Sequence, residues 1–104
     1  MVKAVKCITE IQNLYTYFEF SGLERWDDYD ALFSIFDISP EYDILNHYDA
    51  IYSRRCYLEK DSFFFQLLYH EDIGNCLFNH IRQDEAYYTH LETIANDVVA
   101  KLQI

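Results

Sequence analysis

Phe63-Phe64-Phe65-Gln66-Leu67-Leu68-Tyr69-His70 is apolar nearly all round, and the reading of this run decides the fold. A continuous apolar stretch of this size suits the centre of a helical bundle. It suits a strand buried on both faces as well, because neither its length nor its periodicity separates the two. The uncharged part, Ser62 to Tyr69, has eight residues, far short of the ~20 that cross a bilayer as a helix. No membrane role is expected.

Spacings outward from this run read as helical. Before it, Ser39-Pro40-Glu41 offers a capping hydroxyl, a proline at the first helical position and an acid in the first turn. This predicts a helix to about Leu58 with Leu45, Tyr48, Tyr52 and Cys56 on one stripe. Lys60-Asp61-Ser62 breaks that helix and caps the apolar segment. Beyond it, Gly74 precedes a short helix at about Asn75 to Arg82. Asp84 then caps a last helix, Glu85 to Leu102, whose Tyr87, Leu91, Ile94, Val98 and Leu102 form an amphipathic stripe. At the other end, Val2 to Phe20 carries Ala4, Ile8, Ile11, Tyr15 and Phe18 at helical spacing, and Gly22 supplies a left-handed stop. Asp27 is read as the N-cap of a helix through Phe36, with Leu32, Ile35 and Phe36 inward. The expected fold is all-α: residues 1–104 as a single all-helical domain, a compact bundle of five or six helices of unequal length.

The chain has 104 residues, with 18 Asp and Glu against eight Lys and Arg, ten Tyr, eight Phe, two Gly and one Pro. That length supports one domain with an ordinary core. A net charge of −10 argues against direct contact with nucleic acid, whose phosphates need Lys and Arg to displace counterions. Cys7, Cys56 and Cys76 form neither a C-x-x-C pair nor a dense framework, so reduced, packed thiols are the expectation. The opening run MVKAVKCITEIQNLY lacks an uninterrupted apolar core and does not read as a signal peptide, so a cytoplasmic chain is expected.

Enzyme chemistry finds little support. Two glycines cannot build a phosphate loop, paired carboxylates are too numerous to inform, and no nucleophile sits in a recognisable local pattern. His47, His70, His80 and His90 include i, i+4 pairings with Asp43 and Asp84 but no H-E-x-x-H, so neither a metal nor a cofactor is expected.

The charge itself is informative because it is uneven. Residues 24–43 carry −6 while residues 1–23 and 44–70 each sum to zero. The acids there are Glu24, Asp27, Asp28, Asp30, Asp37, Glu41 and Asp43, opposed only by Arg25 and interleaved with Trp26, Tyr29 and Tyr42. Capping and dipole effects account for some of these carboxylates, and a merely solvated face accounts for others. Clustered like charge nevertheless costs folding energy through self-repulsion. A basic partner would use that field, with the aromatics as anchors.

Small, acidic, cytosolic, mostly helical and tyrosine-rich chains, the profile expected of this one, resemble the immunity proteins that bacteria pair with secreted nuclease toxins, although no motif of any one family carries the likeness. The resemblance implies a non-enzymatic inhibitor whose acidic block, with its three aromatics, occludes the groove of a basic toxin, a cognate nuclease foremost. The alternatives are a phage-type nucleic-acid mimic that deceives a DNA-binding defence protein, and a helical oligomerisation domain.

Overall fold

The structure is a computed structural model that describes residues 2–9, 15–79 and 84–102. Its elements run β1 (Lys3–Thr9), β2 (Tyr15–Ser21), α1 (Asp28–Ile38), β3 (Asp43–Asp49), β4 (Ser53–Lys60), β5 (Phe63–His70), β6 (Gly74–Phe78) and α2 (Glu85–Leu102). The strands form one six-stranded antiparallel sheet in the order β1-β2-β6-β5-β4-β3. The expected all-α bundle is therefore wrong. Of its predicted helices only two stand, α1 and α2; the other described segments are strands. Ile11, His80 and Arg82, which entered that reading, lie outside the described residues.

The chain takes the strand reading of Phe63–His70 for a physical reason that lies in its flanks. Asp61 and Ser62 both adopt positive φ, 50° and 67°, the pair of left-handed residues that a two-residue hairpin turn requires. The segment treated as a helix breaker thus folds β5 back on β4, with Lys60 opposite Phe63 and Tyr57 opposite Gln66. Ser39-Pro40-Glu41 likewise ends a helix instead of starting one. The Ser39 hydroxyl donates to the carbonyl of Ile35 at 2.6 Å, and the Tyr42 amide donates to the carbonyl of Ser39 at 3.1 Å, a turn for which proline's fixed φ is well suited. Asp84 caps α2 as read, its carboxylate accepting the Tyr87 amide at 2.8 Å.

Both helices cover one face of the sheet. α2 lies against β1, β2 and β6, while α1 lies against β3 and β5 and touches α2. Alternate strand residues point into this layer: Phe18 and Phe20 of β2, Leu58 of β4, Phe63, Phe65 and Leu67 of β5, and Leu77 of β6. They meet Leu32 and Phe36 of α1 and Leu91, Ile94 and Val98 of α2. Aromatic edges fix the centre, with Phe36 and Tyr42 rings 4.9 Å apart and Phe36 and Phe65 rings 5.8 Å apart. Asn75, fully buried, ties the loop before α1 to the sheet by donating to the carbonyls of Leu23 and Arg25 at 2.9 and 3.0 Å.

No helix crosses the other sheet face among the described residues, yet Gln66, Leu68 and Cys76 on it are buried. Neighbouring side chains cover them, as where Arg55 donates to the Gln66 side-chain carbonyl at 3.4 Å. Phe65→Ala is therefore expected to lower stability by about 3–5 kcal/mol. Phe64→Ala, on the open face and half exposed, should cost less than about 1 kcal/mol. Urea midpoints of the two variants check this, and equal losses would contradict the alternation.

Candidate functional site

The acidic block lies on the side of the molecule where α1 meets the edge strand β3. Asp27, Asp30, Ser34 and Asp37 are spaced 3, 4 and 3 apart, so they line the outward face of α1. All four are exposed, as are Glu24, Glu41 and Asp43, whereas Asp28 is half-buried. Asp28 and Glu24 carboxylates accept backbone amides of Arg25 and Gly22, each at 3.1 Å, and so organise the approach to the helix.

Arg54 of β4 holds this edge together. Its guanidinium donates to Asp30 at 2.9 Å, to Asp49 at 3.0 Å and to the Trp26 carbonyl at 3.1 Å. It also lies over the rings of Tyr29 and Trp26, at 4.3 and 5.1 Å from their centroids. With its side chain only 12% exposed, the cation is hidden behind the acids that it pairs with. Burial opposes the Arg54 charge, but the hydrogen bonds it donates to Asp30 and Asp49 outweigh it and hold its pKa above the usual value. In return the Arg54 hydrogen bond pulls the Asp30 carboxyl below the ordinary carboxylate range.

A second cation anchors the far end of α1. Lys101 of α2 pairs with Glu41 and with Asp97, the latter at 3.2 Å, and donates to the Ser39 hydroxyl. Its hydrogen bond lowers the Glu41 pKa. Tyr42 donates to Asp97 at 2.9 Å, and the ammonium groups of Lys60 and Lys101 lie over its ring.

The three aromatics of the block have divergent fates. Trp26 is 36% exposed and sits edge-on to Tyr69 at 5.5 Å. Tyr29 and Tyr42, at 3% and 5% exposed, are core residues and present no contact surface. Burial raises the pKa of both phenols well above the usual value. Asp30 and Glu41 serve internal pairs, so the carboxylates of the block left without a partner among the described residues are those of Asp27, Asp37 and Asp43.

Of His47, Asp49 and Arg54, sequence reasoning weighed His47 only as a metal candidate paired with Asp43 and left Asp49 out of the site, because residues 44–70 sum to zero charge. The available signal was the pair itself: Asp49 and Arg54 stand opposite each other across the β3–β4 turn, which becomes visible once Ala50–Tyr52 is read as a hairpin loop. These three residues, with Tyr29, Asp30 and Phe33, line a cavity of about 180 Å³ between α1 and β3.

Other chemistry is weakly provided for. Burial pushes the Cys56 thiol up to about 12 and the Cys76 thiol higher still, which disfavours the reactive thiolate. Among the described residues no three His, Cys, Asp or Glu side chains converge as a metal site, and no helix is long and apolar enough to cross a membrane. No protein-family model matches the chain, no curated protein matches its sequence, and no solved structure matches its fold.

The Arg54 clamp has a pH signature. A carboxylate with a lower pKa folded than unfolded adds stability above the unfolded value and loses it as pH falls through the folded one. For Asp30 the loss falls below about pH 4 and is reduced by solvent screening at this exposed pair. Arg54→Met is expected to cost about 1–3 kcal/mol at neutral pH and to shrink the further loss on acidification. Urea midpoints at neutral and acidic pH check both effects; an unchanged acid dependence would contradict the clamp.

Proposed function

We propose that this chain is a non-enzymatic inhibitor that binds a basic protein through the α1–β3 side, with a nuclease toxin as the partner class and occlusion of its positive groove as the mode of action. The observation that carries this reading is the imbalance of exposed charge there. Glu24, Asp27, Asp30, Asp37, Asp43 and Asp49 face solvent against the exposed cation of Arg25, while Arg54 is tucked beneath its partners. Such a surface speeds association with a positive groove and suppresses wrong partners. Trp26, partly exposed at the start of α1, is the aromatic of the block that remains available as an anchor.

The spacing of the acids favours a plug over a nucleic-acid mimic. At 1.5 Å rise per residue, Asp27 and Asp30 stand about 4.5 Å apart along the helix axis and Asp30 and Asp37 about 10.5 Å apart. Phosphates of one strand would instead repeat evenly, about every 3.4 Å along the duplex axis. A compact patch bounded by a half-exposed indole suits one cleft in one protein.

The experiment is titration against a basic nuclease domain encoded in a neighbouring reading frame, with nucleic-acid cleavage as readout. Stoichiometric inhibition is expected. Asp27→Asn combined with Asp37→Asn, which breaks no internal pair, should weaken it about tenfold at low salt and less at high salt, since exposed charges are screened beyond a Debye length. Undiminished cleavage with excess inhibitor, or an affinity indifferent to both substitutions at low salt, would overturn the reading.

A further inference from the structure

β3 is an edge strand, paired with β4 on one side and with no described strand on the other. Six of its seven residues are exposed and the seventh is half-buried, so side chains on both faces and one row of backbone groups stand open to solvent. A register shift between Ile44 and Asn46 leaves Leu45 as an extra residue and regular edge over Asn46–Asp49. Bulges and charges blunt edges against indiscriminate pairing. The opposite edge, β1, carries Lys3 and Lys6, which would repel a basic partner.

Alternation sorts the regular segment into two sides. Asn46 and Tyr48 point to the open sheet face, where Tyr48 stacks with Tyr57 at 6.3 Å. His47 and Asp49 point to the helical side and form one wall of the cavity between α1 and β3. That cavity has three further features: the carboxylates of Asp30 and Asp49, the rings of Tyr29, Phe33 and His47, and Arg54 at its base. Phe33 and His47 rings lie 5.1 Å apart.

We propose that β3 is extended by a strand of the basic partner, and that one lysine side chain of that strand enters the α1–β3 cavity beside the carboxylates of Asp30 and Asp49. The inference rests on the proposed inhibitor function and supplies its binding mode. Strand addition takes affinity from main-chain hydrogen bonds and specificity from pockets for alternate side chains. A residue opposite His47 on an added strand points to the helical side, where the cavity lies. The aromatic walls suit the methylene stem and the carboxylates suit the ammonium. A volume of about 180 Å³ holds one such side chain and little more. A second copy of this chain is the poorer occupant. Antiparallel pairing of two β3 strands centred on Asn46 would set Asp43 opposite Asp49, and like charges directly opposite are destabilising, as is bringing together two chains of net charge −10 each.

The test uses a nine-residue peptide alternating threonine and valine with a central lysine. Its controls are the same peptide with norleucine at the centre and the same peptide N-methylated at alternate amides. Amide and aromatic resonances of the full chain are followed by NMR during titration. The lysine peptide should shift the amides of Asn46–Asp49 and the ring signals of Tyr29 and His47, and bind about tenfold more tightly than the norleucine peptide. The N-methylated peptide should not bind. His47→Trp, which fills the cavity from an exposed position, should abolish the preference for lysine while leaving β3 pairing in place. Equal affinity for lysine and norleucine, or shifts that avoid β3, would overturn the proposal. Nuclease inhibition with no peptide response at β3 would sink this binding mode alone, and a peptide response without nuclease inhibition would sink only the function.

Discussion

The fold depends on how β5 is buried. A strand apolar on both faces cannot be the exposed layer of a half-buried sheet, so each face needs its own cover. α1 and α2 supply one cover, meeting Phe63, Phe65 and Leu67 with Phe36, Tyr87 and Ile94. On the other face the long side chains of flanking strands lie over Gln66 and Leu68, with Arg55 bonded to Gln66. Placing β5 between β4 and β6 puts it near the sheet centre, which leaves β1 and β3 as edges. The connection from β2 through α1 must then pass from the sheet interior to the far edge. The charged α1 and the open β3 are neighbours because of that crossing.

Where these two elements meet, one guanidinium reconciles stability with surface charge. Left alone, Asp30 and Asp49 would repel each other across the α1–β3 seam. Arg54 bridges them from below, and its stacking on Tyr29 and Trp26 places the cation where solvent and partners meet the carboxylates first. Lys101 pairs with Glu41 and Asp97 at the other end of α1, though less deeply buried than Arg54. These two cations offset part of the field, and the carboxylates of Asp27, Asp37 and Asp43 remain outside these pairs.

Much of α2 was legible because five apolar residues repeat on one face behind a capping aspartate, a pattern that local energetics alone sustain. The strands were harder to read. Cys56 and Leu58 alternate correctly, but Asp61-Ser62 is not one of the glycine-bearing hairpin signatures, and its left-handed geometry is set by the strands it joins. In β2, Thr16, Phe18 and Phe20 alternate with Tyr17, Glu19 and Ser21, a period-2 signal masked by the i, i+3 and i+4 coincidences of a chain so rich in aromatics. The site divides along the same line. Carboxylates stay at the surface in almost any fold, so the acidic residues could be named from composition. Whether a tyrosine is an anchor or a core residue depends on what tertiary structure places over it, and Tyr29 and Tyr42 were for that reason indistinguishable from Trp26.

The central claim is that the α1–β3 side meets a basic partner. Carbodiimide cross-linking of the purified complex, which joins only carboxylates and amines in direct contact, tests it most directly when the linked residues are mapped by mass spectrometry. Links to partner lysines from Asp27, Asp37 and Asp43 are predicted. Links confined to Glu71 and Asp72 in the β5–β6 turn, or to Glu85 and Glu92 of α2, would contradict the account.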